Sequence, residues 1–142
     1  MSSVASGGEI ARVMLSIKAM IAGAVKLPTI VFDEIDTGVS GEIADRMADI
    51  MQEMGEQNRQ VISITHLPQI AAFADNHIHI EKQSADGRTV TQLTTLDYNG
   101  RLQELVRMTA GATASRAAFE SATELLQGAE QIKSSLKRLQ EK

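Results

Sequence analysis

Thr29-Ile30-Val31-Phe32-Asp33-Glu34 is the stretch that decides the fold. A short continuous apolar run, preceded by Pro28 and closed by two acids, reads as a strand buried on both faces, as in a parallel sheet. A second run, Val61-Ile62-Ser63-Ile64-Thr65, ends on His66. Between them, Asp36-Thr37-Gly38-Val39-Ser40-Gly41 is a turn, with Ser40 placed to cap the next helix. That helix carries Ile43, Met47, Ile50, Met51 and Met54 on one side and stops near Gly55. Pro68 opens a short helix reaching about Ala74. Strand and helix in alternation argue for parallel pairing with crossover helices, an α/β fold.

Working outward, residues 7–25 form a helix whose buried face takes Ile10, Val13, Met14, Ile17, Met20, Ile21 and Ala24 by three-and-four spacing. Downstream, Ile78 and Ile80 alternate with His77, His79 and Glu81, which marks a half-exposed strand with both histidines toward solvent. Asp86-Gly87 makes a hairpin turn into Thr89–Thr95. Asn99 caps a helix that Gly111 stops. The last helix begins near Ser115 and carries Ala118, Phe119, Ala122, Leu125 and Leu126. The expected organisation is one unit over 1–127 and a charged helical tail over 128–142 that frays.

Composition narrows the function. The 142 residues are enough for one domain with a real core. No run approaches the roughly 20 apolar residues of a membrane span, and no export signal stands at the N-terminus. The absence of cysteine excludes disulfides and thiolate metal sites and agrees with a cytoplasmic protein. A net charge of −4 with scattered Lys and Arg makes the chain by itself a poor DNA binder, which needs a clustered positive surface. The seven methionines read as adaptable core filler.

Three short pieces carry chemistry. Ser6-Gly7-Gly8-Glu9 has the form of a capping box, Ser at N-cap and Glu three residues on. Two glycines are costly there unless bare amides must approach something closely, and a helix N-terminus with exposed amides suits a phosphate. Asp33 and Glu34 emerge from the carboxyl end of a buried strand, the edge at which open α/β sheets bind ligands. There Asp33 can hold Mg²⁺ through water, while Glu34 orients and deprotonates an attacking water. His66, ending the neighbouring strand, reaches the same edge and can donate a hydrogen bond to a phosphate or to that water.

Taken in order, these pieces resemble the back half of an ABC-type ATPase head in its SMC-like branch, and within that branch the heads of bacterial DNA repair ATPases. Ala5-Ser6-Gly7-Gly8-Glu9 resembles the signature motif, Thr29 to Glu34 the Walker B strand, and Ser63-Ile64-Thr65-His66 the switch-histidine loop. The runs Val31 to Gly41 and Thr65-His66-Leu67-Pro68-Gln69-Ile70-Ala71 extend the likeness, which covers Val4 to about Gln127. It implies the C-terminal lobe of a P-loop head: parallel strands with flanking helices, then a β-hairpin and helices. It implies two heads sandwiching two ATP molecules. Ser6, Gly7, Gly8 and Glu9 then act in trans on the ATP of a second head, while Asp33 (Mg²⁺), Glu34 and His66 act in cis. Thr37, Gly38, Val39 and Ser40 form the D-loop, with Ser40 where many relatives carry Asp. It also implies action on DNA, through the whole protein, in recombinational repair of double-strand breaks at the nucleoid. A coiled coil then separates the two head halves, and this chain begins just after it.

No G-x-x-x-x-G-K-[ST] occurs in the sequence. Without that Walker A loop nothing cradles the β- and γ-phosphates, so the chain alone is expected to be inactive until joined by the N-terminal half of its head. A second reading is a non-catalytic docking or dimerisation module, since strand edges left without partners associate. A third is a self-contained metal-dependent hydrolase using Asp33, Asp36 and His66.

Overall fold

The computed structural model describes residues 9, 13–16, 20, 27–56 and 58–140. Ser6, Gly7 and Gly8 lie outside the described residues, and Glu9 is helical and exposed. The chain divides into two units, Met1–Ala71 and Ala72–Lys142.

In the first unit, β1 (Thr29–Asp33) pairs in parallel with β2 (Gln60–Ile64), in register from Thr29 opposite Gln60 to Asp33 opposite Ile64. Helix α1 (Glu42–Glu56) makes the crossover and packs against β2, burying Ala44, Met47, Ala48, Met51 and Met54. Its first turn hangs on the carbonyl of Gly41, which accepts from the amides of Ala44 and Asp45. Gly41 stands at φ 56° between Ser40 and the helix. Ser40 is thus one residue too early to be the cap expected of it.

One face of the strand pair is covered. Ile30 and Phe32 are buried, whereas Val31, Ile62 and Ile64 on the opposite face are exposed. The sequence predicts burial on both faces, and this two-stranded sheet has only one layer against it among the described residues. The first helix departs in a similar way. Val13, Met14 and Met20 are exposed and Leu15 is buried instead. Ile10, Ile17, Ile21 and Ala24, also expected on that face, lie outside the described residues.

Helix α2 (Pro68–Phe73) carries the chain across the boundary between the units. In the second unit, β3 (Ile78–Ala85) and β4 (Arg88–Thr95) form an antiparallel hairpin. Its two-residue turn has positive φ at both Asp86 (51°) and Gly87 (73°), the backbone that matches strand twist. Helix α3 (Tyr98–Ala110) is capped by Asp97, whose Oδ1 accepts from the amide of Gly100 at 2.8 Å. The cap is therefore Asp97, two residues before the Asn99 expected from sequence. Gly111 ends the helix at φ 64°, with its amide donating to the carbonyl of Arg107. Helix α4 (Arg116–Gln140) starts where the Ser115 hydroxyl accepts from the amide of Ala118, and runs unbroken through Gly128. Leu102, Leu105 and Val106 of α3 and Ala118, Ala122, Leu126 and Ala129 of α4 are buried where the two helices pack.

The hairpin reverses the expected alternation. His79 is only 21% exposed and meets Glu104 and Arg107 of α3, while Ile78 and Ile80 are 50% and 54% exposed. Leu93, paired with Ile80 across the hairpin, is exposed on the same face. An ion pair on the helix outcompetes the isoleucines for the inner side.

His77 is not solvent-facing either. Burial holds its imidazole below the ordinary value of 6.5, and the nearby Arg101 charge acts in the same direction. The folded state thus takes up this proton less readily than the unfolded chain. The contribution is present above pH 6.5 and is lost as pH falls below that value. We expect urea unfolding midpoints to drop between pH 7.5 and 5.5 in the native sequence, and His77→Gln to flatten that part of the slope. An unchanged slope in the variant would exclude His77 as its source.

Candidate functional site

Parallel pairing brings two strand exits to one edge. Asp33 lies opposite Ile64, and the amide of Glu34 donates to the carbonyl of Ile64 at 3.1 Å. Asp33 and Glu34 therefore leave β1 at the same carboxyl end from which Thr65 and His66 leave β2. All but Thr65, which is half-buried, are exposed there. This is the edge at which open α/β sheets bind ligands.

Glu34 sits at φ 48°, in the left-handed region. Holding a side chain there costs about 1–2 kcal/mol. The neighbouring bonds hold it in place: its amide is bound by Ile64, and its carbonyl accepts from the Thr37 hydroxyl at 3.1 Å. Such strain concentrates at functional sites. It also predicts an inversion of the usual ranking, with Glu34→Gly more stable than Glu34→Ala by about 0.5–1 kcal/mol once the glycine's extra unfolded-state freedom is subtracted. Urea unfolding of the two variants checks this, and an alanine variant as stable as the glycine one would show the strain is absent.

After Glu34 the chain turns sharply. The amide of Val39 donates to the carbonyl of Asp36 at 3.0 Å, and Gly38, third in the turn, has φ 75°. Val39 is buried beneath the turn, so Thr37, Gly38 and Ser40 are presented to solvent. The expected D-loop is thus a surface loop pinned at Asp36 and Val39.

Asp36 is the residue the sequence reading undervalued. Its side chain is 1% exposed, the one charged or polar residue fully withdrawn from solvent among the described residues. Its Oδ2 accepts from the Thr65 hydroxyl and from the amide of His66 at 3.2 Å. Thr65 Oγ1 in turn accepts from the amide of Leu67 at 3.0 Å. Oδ1 faces His66 Nδ1 at 3.4 Å and has no hydrogen-bond partner. One buried carboxylate therefore ties the loop after β1 to the loop after β2. A Thr at the end of the partner strand, level with an Asp three residues past the first, was the only available signal.

Asp33 ends β1 with its carboxylate exposed, a hard oxygen donor of the kind Mg²⁺ takes through water. Among the described residues no three acidic or histidine side chains are placed to hold a metal ion together. Asp36 is committed to Thr65 and His66, so the geometry gives no support to Asp33, Asp36 and His66 as a self-contained metal centre. Nor is any helix of the described residues long and apolar enough to cross a membrane.

Comparison with known proteins shows what the chain as a whole is similar to. No family model matches the chain. It is 44% identical over 133 residues to the DNA repair protein RecN of Bacillus subtilis (strain 168), a match covering 94% of this chain and 23% of that protein. To the DNA repair protein RecN of Deinococcus radiodurans it is 45% identical over 128 residues, covering 90% of this chain and 22% of that protein. The chain thus spans under a quarter of the length of these relatives. A solved structure from work on the ATP-driven dimerization and DNA-stimulated activation of SMC ATPases superposes with a TM-score of 0.60 at 27% identity. It covers 77% of this chain and 65% of the other. Over about nine-tenths of its length the chain is therefore similar to the C-terminal part of RecN proteins, on a fold shared with SMC ATPases.

Proposed function

We propose that this chain is the C-terminal half of an ATP-hydrolysing head in a RecN-like protein that acts in recombinational repair of DNA double-strand breaks. The observation that carries the reading is the convergence of Asp33, Glu34 and His66 on the carboxyl edge of one parallel strand pair. Glu34 accepts a proton from the attacking water as that water bonds to the γ-phosphorus and the bond to the β,γ-bridging oxygen breaks. His66 donates a hydrogen bond to the γ-phosphate or to the water. Asp33 would hold Mg²⁺ through water, which would supply charge neutralisation at the phosphates. Ser6, Gly7, Gly8 and Glu9 serve as the signature that reaches the ATP of a second head, and Thr37, Gly38, Val39 and Ser40 form the D-loop between heads. The phosphate cradle comes from a Walker A half, DNA is met by the whole protein, and the setting is the cytoplasm. Joined to a polypeptide bearing the matching Walker A half, the chain should gain Mg²⁺-dependent ATP hydrolysis that neither part has alone. A folded, joined head without turnover would overturn the assignment.

A second reading, docking without catalysis, is favoured by the exposed Ile62 and Ile64 of the first unit and Ile78, Ile80 and Leu93 of the second. On this reading the apolar strand faces serve to receive the other half of the head. It predicts complex formation with the Walker A half that survives loss of Glu34.

A further inference from the structure

We infer that Asp36 is a positioning residue that fixes the tautomer and the orientation of the His66 ring. The inference deepens the ATPase reading, which gives His66 its work, but the geometry behind it stands apart from nucleotide. A carboxylate 1% exposed has little solvent to satisfy it, and low local dielectric strengthens what it binds. Both donors to Oδ2, the Thr65 hydroxyl and the His66 amide, are spoken for. Oδ1 is buried and lacks a hydrogen bond, and the group facing it is His66 Nδ1 at 3.4 Å. A neutral imidazole satisfies that oxygen only with its proton on Nδ1. The proton position on one ring nitrogen is set by the bond the other makes. Nε2, across the ring, then carries the lone pair, and on the 63% exposed side chain it is the nitrogen left to face a ligand. The donor role that the ATPase reading gives His66 then calls for the doubly protonated ring, with the Asp36 carboxylate behind it as counter-charge. The same carboxylate fixes the backbone at His66, so ring and strand exit move together.

An isosteric substitution tests the assignment. In Asp36→Asn the amide oxygen must take the Oδ2 position, because Thr65 O–H and His66 N–H need an acceptor there. The NH₂ group then falls at the Oδ1 position and donates to Nδ1, which forces the proton onto Nε2. We expect two-bond ¹H–¹⁵N correlation spectra of the ¹⁵N-labelled chain, recorded at alkaline pH, to show Nδ1–H in the native sequence and Nε2–H in Asp36→Asn. A native His66 with its proton on Nε2 overturns the inference, and this holds whether or not the variant folds. A folded variant that keeps Nδ1–H overturns it as well. Since no nucleotide is present, this result is independent of whether the completed head hydrolyses ATP.

Discussion

In a head completed by its Walker A half, Glu34→Gln is expected to lower kcat by about a thousandfold, within the range typical of a lost general base, and to leave ATP affinity within about twofold. The structure makes this substitution unusually clean. Glu34 is held by its backbone, with the amide bound to Ile64 and the carbonyl to Thr37, and neither bond involves the carboxylate. Gln is the same size and meets the same left-handed backbone at φ 48°. Geometry and strain therefore carry over, and only the ability to take a proton changes. Steady-state turnover together with a nucleotide-binding titration separates the outcomes. A fall in kcat with unchanged binding places the base at Glu34. Turnover above a tenth of the native rate would place it elsewhere, and weakened binding would mean that the carboxylate serves the nucleotide rather than the water.

Much of this edge could be read from sequence because its determinants are local. Apolar runs closed by Asp33-Glu34 and by His66, with a helical segment between, fix parallel pairing, and parallel pairing puts both exits at one end. The Asp86-Gly87 turn and the Gly111 stop are likewise set by backbone conformations that few residues adopt. Contacts between distant segments were not legible. Asp36 looks like any turn aspartate, since its partners stand 29 and 30 residues later, and only the folded register brings Thr65 and His66 to it. The hairpin alternation was inverted for the same reason: Glu104 and Arg107 draw His79 inward, and they lie on an element that strand periodicity does not consult. Asp97 and Asn99 carry similar capping side chains two residues apart, and composition does not rank them.

Phe32→Ala is expected to cost about 3–5 kcal/mol, which approaches the whole stability of a small unit. Phe32 is fully buried in β1, which ends on Asp33 and leads directly into Glu34 and Asp36. The cavity should therefore cost the site its frame, seen as collapse of the His66 and Thr65 resonances and a lowered urea midpoint. Ile62→Ala makes the informative contrast. Ile62 is 42% exposed on the opposite face of the same sheet, and in the isolated chain its loss should cost under about 1 kcal/mol. If the other half of the head covers that face, the same substitution in the completed head buries a cavity and should cost about 2–5 kcal/mol. The two measurements read the partner layer through stability alone, without reference to ATP. An equal cost in both settings would mean that the face stays in water and that the sheet is completed along its edges only.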